Sequence, residues 1–337
     1  MLRVAIAYRF SQFCLKYHSQ LQLQFGDGEG TSRGLGLQRA WLSQSTQTIE
    51  SCVHRHTLEV LMTGADMARR IVVKFGGALI TDKNQQSSAN LEIIRSLCSI
   101  VKRITNEGVQ VIVVHGAGSF GHLKAKHWRL NEGHIPDFSV EDDSCTTQTG
   151  AVQDVRNDML ELNSIVIDEL QSLGLNVVSH PPHQWASELG PSFSGTLDRF
   201  ESNDSETVHV SFGDVVDVGD ERRFGILSGD DLVARLCIEL SDVELLVFAM
   251  GGVDGLLKVP PHRATPDDLI EEWSPDIEYE GLHQTDIDVT GGIGLKIRRG
   301  HQVAKTGVGV YLINGEHPER ILNLVRDQPW RGTRILP

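Results

Sequence analysis

The sequence predicts an α/β protein in which a mainly parallel central sheet carries helices on both faces, giving a three-layer αβα sandwich. Three observations lead there. From Ile71 onward, apolar runs alternate with amphipathic stretches, the order expected of strands and helices in turn. The runs are continuous in Val, Ile and Leu rather than alternating with polar residues, as in strands buried on both faces. Several runs end in glycine clusters, and ligands of open α/β sheets bind beyond the carboxyl ends of the strands.

Taken in order, the expected strands are 71–75 (IVVKF), 109–115 (VQVIVVH), 175–180 (LNVVSH), 224–228 (FGILS), 244–250 (ELLVFAM) and 308–314 (VGVYLIN). Leu91, Ile94, Leu97, Val101 and Ile104 recur at helical spacing and predict a helix over 90–106. A long helix is expected over about 147–173, and another over 230–240, opening on the acidic turn Asp230-Asp231 that suits a helix N-terminus. The Gly/Pro/Asp-rich stretch 254–285 reads as an excursion or flexible arm. Residues 1–66 read apart from the rest. Their opening holds Arg3, Arg9 and Lys16 with no acid before Asp27, which fits either an organelle transit peptide or a disordered extension ahead of a domain spanning 67–337.

Composition narrows the function. A chain of 337 residues, 40% hydrophobic, can bury a large core. A formal charge of -14 argues against nucleic acid as a partner, because phosphate-backbone binding needs clustered Lys and Arg. Five scattered cysteines without CxxC spacing suggest neither a disulfide framework nor a zinc site, and fit a reducing compartment. No apolar run approaches the roughly 20 residues of a membrane-spanning helix, so no membrane partner is expected. An anionic ligand would need a local positive site.

Three glycine clusters supply one. Lys74-Phe75-Gly76-Gly77, followed by Thr81-Asp82-Lys83, couples a backbone that can approach phosphate closely with two lysines. His115-Gly116-Ala117-Gly118-Ser119-Phe120-Gly121-His122 follows a clear strand and could aim successive N–H groups at an anion. Asp288-Val289-Thr290-Gly291-Gly292, with Lys296 beyond it, repeats the chemistry late in the chain. Each has a plainer reading: a glycine pair is commonly only a turn, His122 could pack a loop, and Lys124, Lys126 and Lys258 read as surface charges. The second cluster also contains GxGxxG, but a dinucleotide fingerprint needs a second strand ending in an acid, and the residues before Asp137 offer none. A Walker A loop is excluded because His122 stands where Lys and Ser/Thr are required.

KFGGALITDK, HGAGSFGH, the FGD of 212–214, the SGDD of 228–231 and DVTGGIGLK stand in the order and approximate spacing of the isopentenyl phosphate kinases, which the chain resembles over about 71–320. That resemblance implies a sandwich of the amino-acid-kinase type, with a substrate half at about 71–205 and a nucleotide half at about 206–330. It implies ATP as donor, Mg²⁺ carried mainly on the ATP phosphates with no protein metal site, isopentenyl phosphate as acceptor, and a homodimer. Lys74 and Lys83 match lysines at the transferred phosphoryl group, and Lys296 matches a lysine on the nucleotide phosphates. Gly76, Gly77, Ser228, Thr290, Gly291 and Gly292 fall at the nucleotide. Asp230 matches the aspartate that organises the lysines. Gly116, Ala117, Gly118 and Gly121 match the cradle of the acceptor phosphate, and His122 the histidine that hydrogen-bonds it. Val152, Val155, Met159 and Ile165 are either the isoprenoid pocket or plain helix core. Departures from the pattern include Ala78 for serine, Ile293 for methionine, Phe212 for a histidine before Gly-Asp, and the loss in 250–255 of the Thr-Asp common before Val-Asp-Gly. Kinases acting on fosfomycin, acetylglutamate, uridylate or carbamate, and a noncatalytic nucleotide sensor, are the competing readings. The expected location is cytoplasmic, or mitochondrial or plastid if residues 1–66 are a transit peptide.

Overall fold

In a computed structural model, the described residues are 69–82, 85, 87–141, 143, 145–201, 205–279 and 292–337, all within one compact unit, Met67–Pro337. The strands are β1 (Arg70–Phe75), β2 (Gln110–His115), β3 (Asn176–Ser179), β4 (Thr207–Phe212), β5 (Asp214–Asp217), β6 (Phe224–Leu227), β7 (Val243–Met250), β8 (Glu272–Trp273), β9 (Gly309–Asn314) and β10 (Thr333–Ile335). The helices are α1 (Gly77–Ile80), α2 (Leu91–Thr105), α3 (Gly118–His127), α4 (Gln148–Ser172), α5 (Gly229–Glu239), α6 (Gly292–Ala304) and α7 (Glu319–Val325). Eight strands form one sheet in the order β3-β4-β2-β1-β7-β9-β10-β8, and β5 and β6 pair separately as an antiparallel hairpin. Every pairing in the large sheet is parallel except β9 with β10.

Strand side chains alternate between faces, so the sheet divides two apolar layers. Ile71, Val73, Phe75, Val111, Val113 and Val210 pack with α2, α4 and α7, whereas Val72, Ile112, Val114, Leu246 and Phe248 pack with α5 and α6. Lys74 follows Val72 on the second face and so points toward α5. Helix starts follow local chemistry: Asn90 accepts a hydrogen bond from the Ile93 N–H, Thr147 from Gly150 and Ser228 from Asp230, each satisfying an otherwise orphaned amide.

All six expected strands and three expected helices are present, within two residues at their ends. The Gly/Pro/Asp-rich stretch departs from expectation. Its described part, 254–279, forms 3-10 turns and contributes β8 to the sheet edge, so it is built into the fold rather than hanging off as an arm. Residues 280–291 lie outside the described residues, as do 1–68. No helix among the described residues is long and apolar enough to cross a membrane.

Candidate active site

β1 sits between β2 and β7, where the chain's connections diverge to opposite sides, and beyond such a switch point an open α/β sheet forms a crevice. Here the crevice is a cleft of about 480 Å³. Glycines close the strand ends around it: the Gly76 N–H donates to Ala249 O at 2.9 Å, Gly116 N–H to Phe75 O at 2.9 Å and Gly213 N–H to His115 O at 3.1 Å. A Cβ on Gly116 would lie 2.7 Å from the Gly77 nitrogen, so these two loops meet backbone to backbone, an approach open only to residues without a side chain.

Three helices, α3, α5 and α6, begin at this cleft with Gly118, Gly229 and Gly292 among its lining residues. Their N-terminal amides and aligned dipoles favour an anion there. By its glycines the HGAGSFGH segment reads as a loop. Its second half is instead the start of α3, which carries Gly121 and His122 on its first turns. No strand lies between Gly118 and Phe138, so the dinucleotide reading fails on structure as well.

Beneath the cleft, the fully buried Asp230 carboxylate joins two lysines. Lys74 Nζ donates to Oδ1 and Lys296 Nζ to Oδ2 at 3.3 Å. Burial disfavours the charged carboxylate, but Lys296 and Lys74 outweigh it and hold Asp230 below the usual carboxylate range. Two cations share one anion, so this cluster itself carries net positive charge. A neighbouring pair repeats the link: Arg299 of α6 donates to Asp231 Oδ1 at 2.5 Å. Burial nevertheless raises the Asp231 carboxyl, with Arg299 only partly offsetting it.

Of the residues expected at the site, Lys74, Gly76, Gly77, Gly116, Ala117, Gly118, Gly121, His122, Ser228, Gly292 and Lys296 all line this cleft, with Asp230 directly below. Lys83, Thr290 and Gly291 lie outside the described residues. The expected apolar pocket is divided. Val155 and Met159 line the cleft, whereas Val152 is in the core and Ile165 packs against it. Leu123, Val215 and Ile226 add apolar lining that the sequence does not point to. Two of them come from the β5–β6 hairpin, whose position cannot be read from local pattern. Lys124 is not a free surface charge: it bridges Asp154 at 3.3 Å and Asp158 at 3.2 Å on α4. Thr81 and Asp214 also line the cleft, and Asp214 accepts a hydrogen bond from His183 Nδ1 at 2.7 Å.

The cleft thus combines lysines, glycine backbones and helix N-termini with apolar side chains, a lining suited to a phosphate ester with a hydrocarbon tail. A model of the amino acid kinase family matches residues 69–314. The chain belongs to the amino acid kinase family. Within the family it belongs with the isopentenyl phosphate kinases. It is 35% identical over 256 residues to isopentenyl phosphate kinase of Thermoplasma acidophilum, a match covering 74% of this chain and 94% of that protein. To the isopentenyl phosphate kinase of Methanothermobacter thermautotrophicus it is 31% identical over 274 residues, covering 79% and 98%. The crystal structure of the T. acidophilum isopentenyl phosphate kinase product complex superposes with a TM-score of 0.61 at 33% identity, covering 80% of this chain and all of that one. Membership in this kinase family implies ATP as a substrate.

Proposed function

We propose that the chain transfers the γ-phosphoryl group of ATP to isopentenyl phosphate, forming isopentenyl diphosphate and ADP. The observation that carries this reading is the Asp230-centred pair of lysines beneath a cleft lined by glycine backbones, helix N-termini and apolar side chains. A phosphate monoester has a second pKa of about 6, so its oxygen is already largely ionised near neutral pH and needs no general base. The acceptor oxygen attacks the γ-phosphorus, the bond to the β–γ bridging oxygen breaks, and that electron pair leaves on ADP. The task is alignment and charge neutralisation.

In this reading Lys74 and Lys83 meet the transferred group, and Lys296 holds the nucleotide phosphates with Ser228, Thr290, Gly291 and Gly292. The amides at Gly76 and Gly77 face the donor phosphates. Gly116 to Gly118 and Gly121 cradle the acceptor phosphate, with His122 donating to it. Asp230 keeps Lys74 and Lys296 extended toward the cleft. Among the described residues no cluster of three or more His, Cys, Asp or Glu side chains offers a cation site. Both Asp230 oxygens are engaged by lysines, so Mg²⁺ fits as a companion of the ATP phosphates, adding charge neutralisation. Residues 67–337 hold the whole reaction, with the acceptor on the half before about residue 206 and ATP on the half after it.

ADP release measured with isopentenyl phosphate, fosfomycin, N-acetylglutamate, uridylate and carbamate tests the assignment. Isopentenyl phosphate is expected to be the preferred acceptor, and turnover of a carboxylate acceptor in its place would refute it.

A further inference from the structure

We infer that Thr81 is a positioning residue of the transfer reaction, its hydroxyl fixing the separation between the loop that faces the donor phosphates and the helix end that takes the acceptor phosphate. Thr81 closes α1, is 3% exposed and lines the cleft between the two loops. Its Oγ1 donates to Gly77 O at 2.8 Å and accepts the Ser119 N–H at 3.0 Å. One hydroxyl therefore joins both loops.

The arrangement also explains how α3 begins. Its N-cap, Ala117, has no side chain able to accept a hydrogen bond. Oγ1 of Thr81, 38 positions earlier, takes the second amide of the helix in its place. Gly118 has φ +51°, and a Cβ there would collide with the Thr81 side chain, so glycine is required for this contact. Backbone bonds lie beside it: Thr81 N–H donates to Gly77 O at 3.1 Å, and Ser87 N–H to Ser119 O at 3.3 Å. A buried cap of this kind also adds to stability. Its larger effect is geometric, because a misplacement of about 1 Å between reacting groups can lower a rate roughly 100-fold.

The inference rests on the proposed reaction and is tested in the full chain with Thr81→Val, which keeps the shape and loses the hydroxyl, and Thr81→Ser, which keeps the hydroxyl. Steady-state kinetics with ATP and isopentenyl phosphate, alongside ATP binding by calorimetry, read the outcome. The valine variant is expected to lose about 10- to 100-fold in kcat while KM for both substrates and the ATP Kd stay within about threefold, and the serine variant to stay within about threefold throughout. Should the valine variant not fold, Thr81→Ala must show the same split. Unchanged kcat in the valine or alanine variant, a loss confined to acceptor KM, or equal loss in the serine variant overturns the inference. A wild-type chain that forms no isopentenyl diphosphate overturns the reaction and this inference together, whereas an active wild type beside an equally active valine variant overturns this inference alone.

Discussion

Asp230 carries no chemistry of its own, yet it decides where two lysine ammonium groups stand. Replacing it with asparagine removes the anion that balances Lys74 and Lys296 in a buried setting, and both are expected to turn away or repel each other. Asp230→Asn should lower kcat by about 100-fold or more, the scale seen when a preorganised electrostatic partner is lost. Stopped assays at saturating ATP would read it, and near-normal kcat would contradict the role. In the proposed reaction His122→Ala removes a donor to the acceptor phosphate, an expected loss of about 1.5–3 kcal/mol. Acceptor KM should rise by about 10- to 100-fold while ATP KM is spared. A flat acceptor KM would remove His122 from the site. His115, next to the Gly116 loop, offers a test through stability. It is fully buried at the end of β2, stacked on Phe212, with Nε2 3.3 Å from Asn163 Oδ1, and burial lowers its pKa from 6.5 to about 4. The folded form therefore binds a proton less readily than the unfolded chain, so this contribution is complete above pH 6.5 and is lost as pH falls toward 4. Urea unfolding should show the wild type losing about 2 kcal/mol more than His115→Gln between pH 7 and pH 5. Parallel curves for the two would contradict it.

Helices α5 and α6 are tied by two adjacent ion pairs, Asp230 to Lys296 and Asp231 to Arg299. Only the first faces the cleft. Arg299→Gln leaves the 8% exposed Asp231 side chain short of its charged partner and should cost about 1–3 kcal/mol in urea unfolding. An unchanged midpoint would show the pair to be idle. What was legible at this scale follows from apolar pattern. Buried parallel strands such as IVVKF and VIVVH, and the helix with Leu91 to Ile104 at helical spacing, declare themselves locally. β4 does not. Its Thr207, His209 and Ser211 look solvent-facing, but they are buried, with Ser211 Oγ donating to His180 O at 2.8 Å and His209 paired with the His180 ring at 2.9 Å. α3 and α6 were illegible because glycines and cations interrupt their apolar rows, and the same residues suit a helix start that must approach phosphate. β8 and β10, two and three residues long, exist only through pairing with distant strands. In the site, the lysines and glycines were legible because their chemistry is local. The β5–β6 wall and the Thr81 bridge were not, since each depends on residues brought together by the sheet.

Over the whole molecule, a chain with formal charge -14 must bind two phosphorylated anions. In the proposed reaction the lysines, amides and helix ends gathered at one crevice among the described residues offset this charge, so the local field rather than net charge governs binding. A chain beginning at Met67 is expected to keep full kcat, and loss of turnover there would place a required element in residues 1–66. This crevice is expected to align ATP with an isoprenoid monophosphate. Incubating the full chain with ATP, Mg²⁺ and isopentenyl phosphate and quantifying both products tests it most directly. One isopentenyl diphosphate should form for each ADP released, with kcat/KM about 100-fold or more above any other acceptor tried. ADP release without isopentenyl diphosphate, or a faster reaction with a different acceptor, would contradict it.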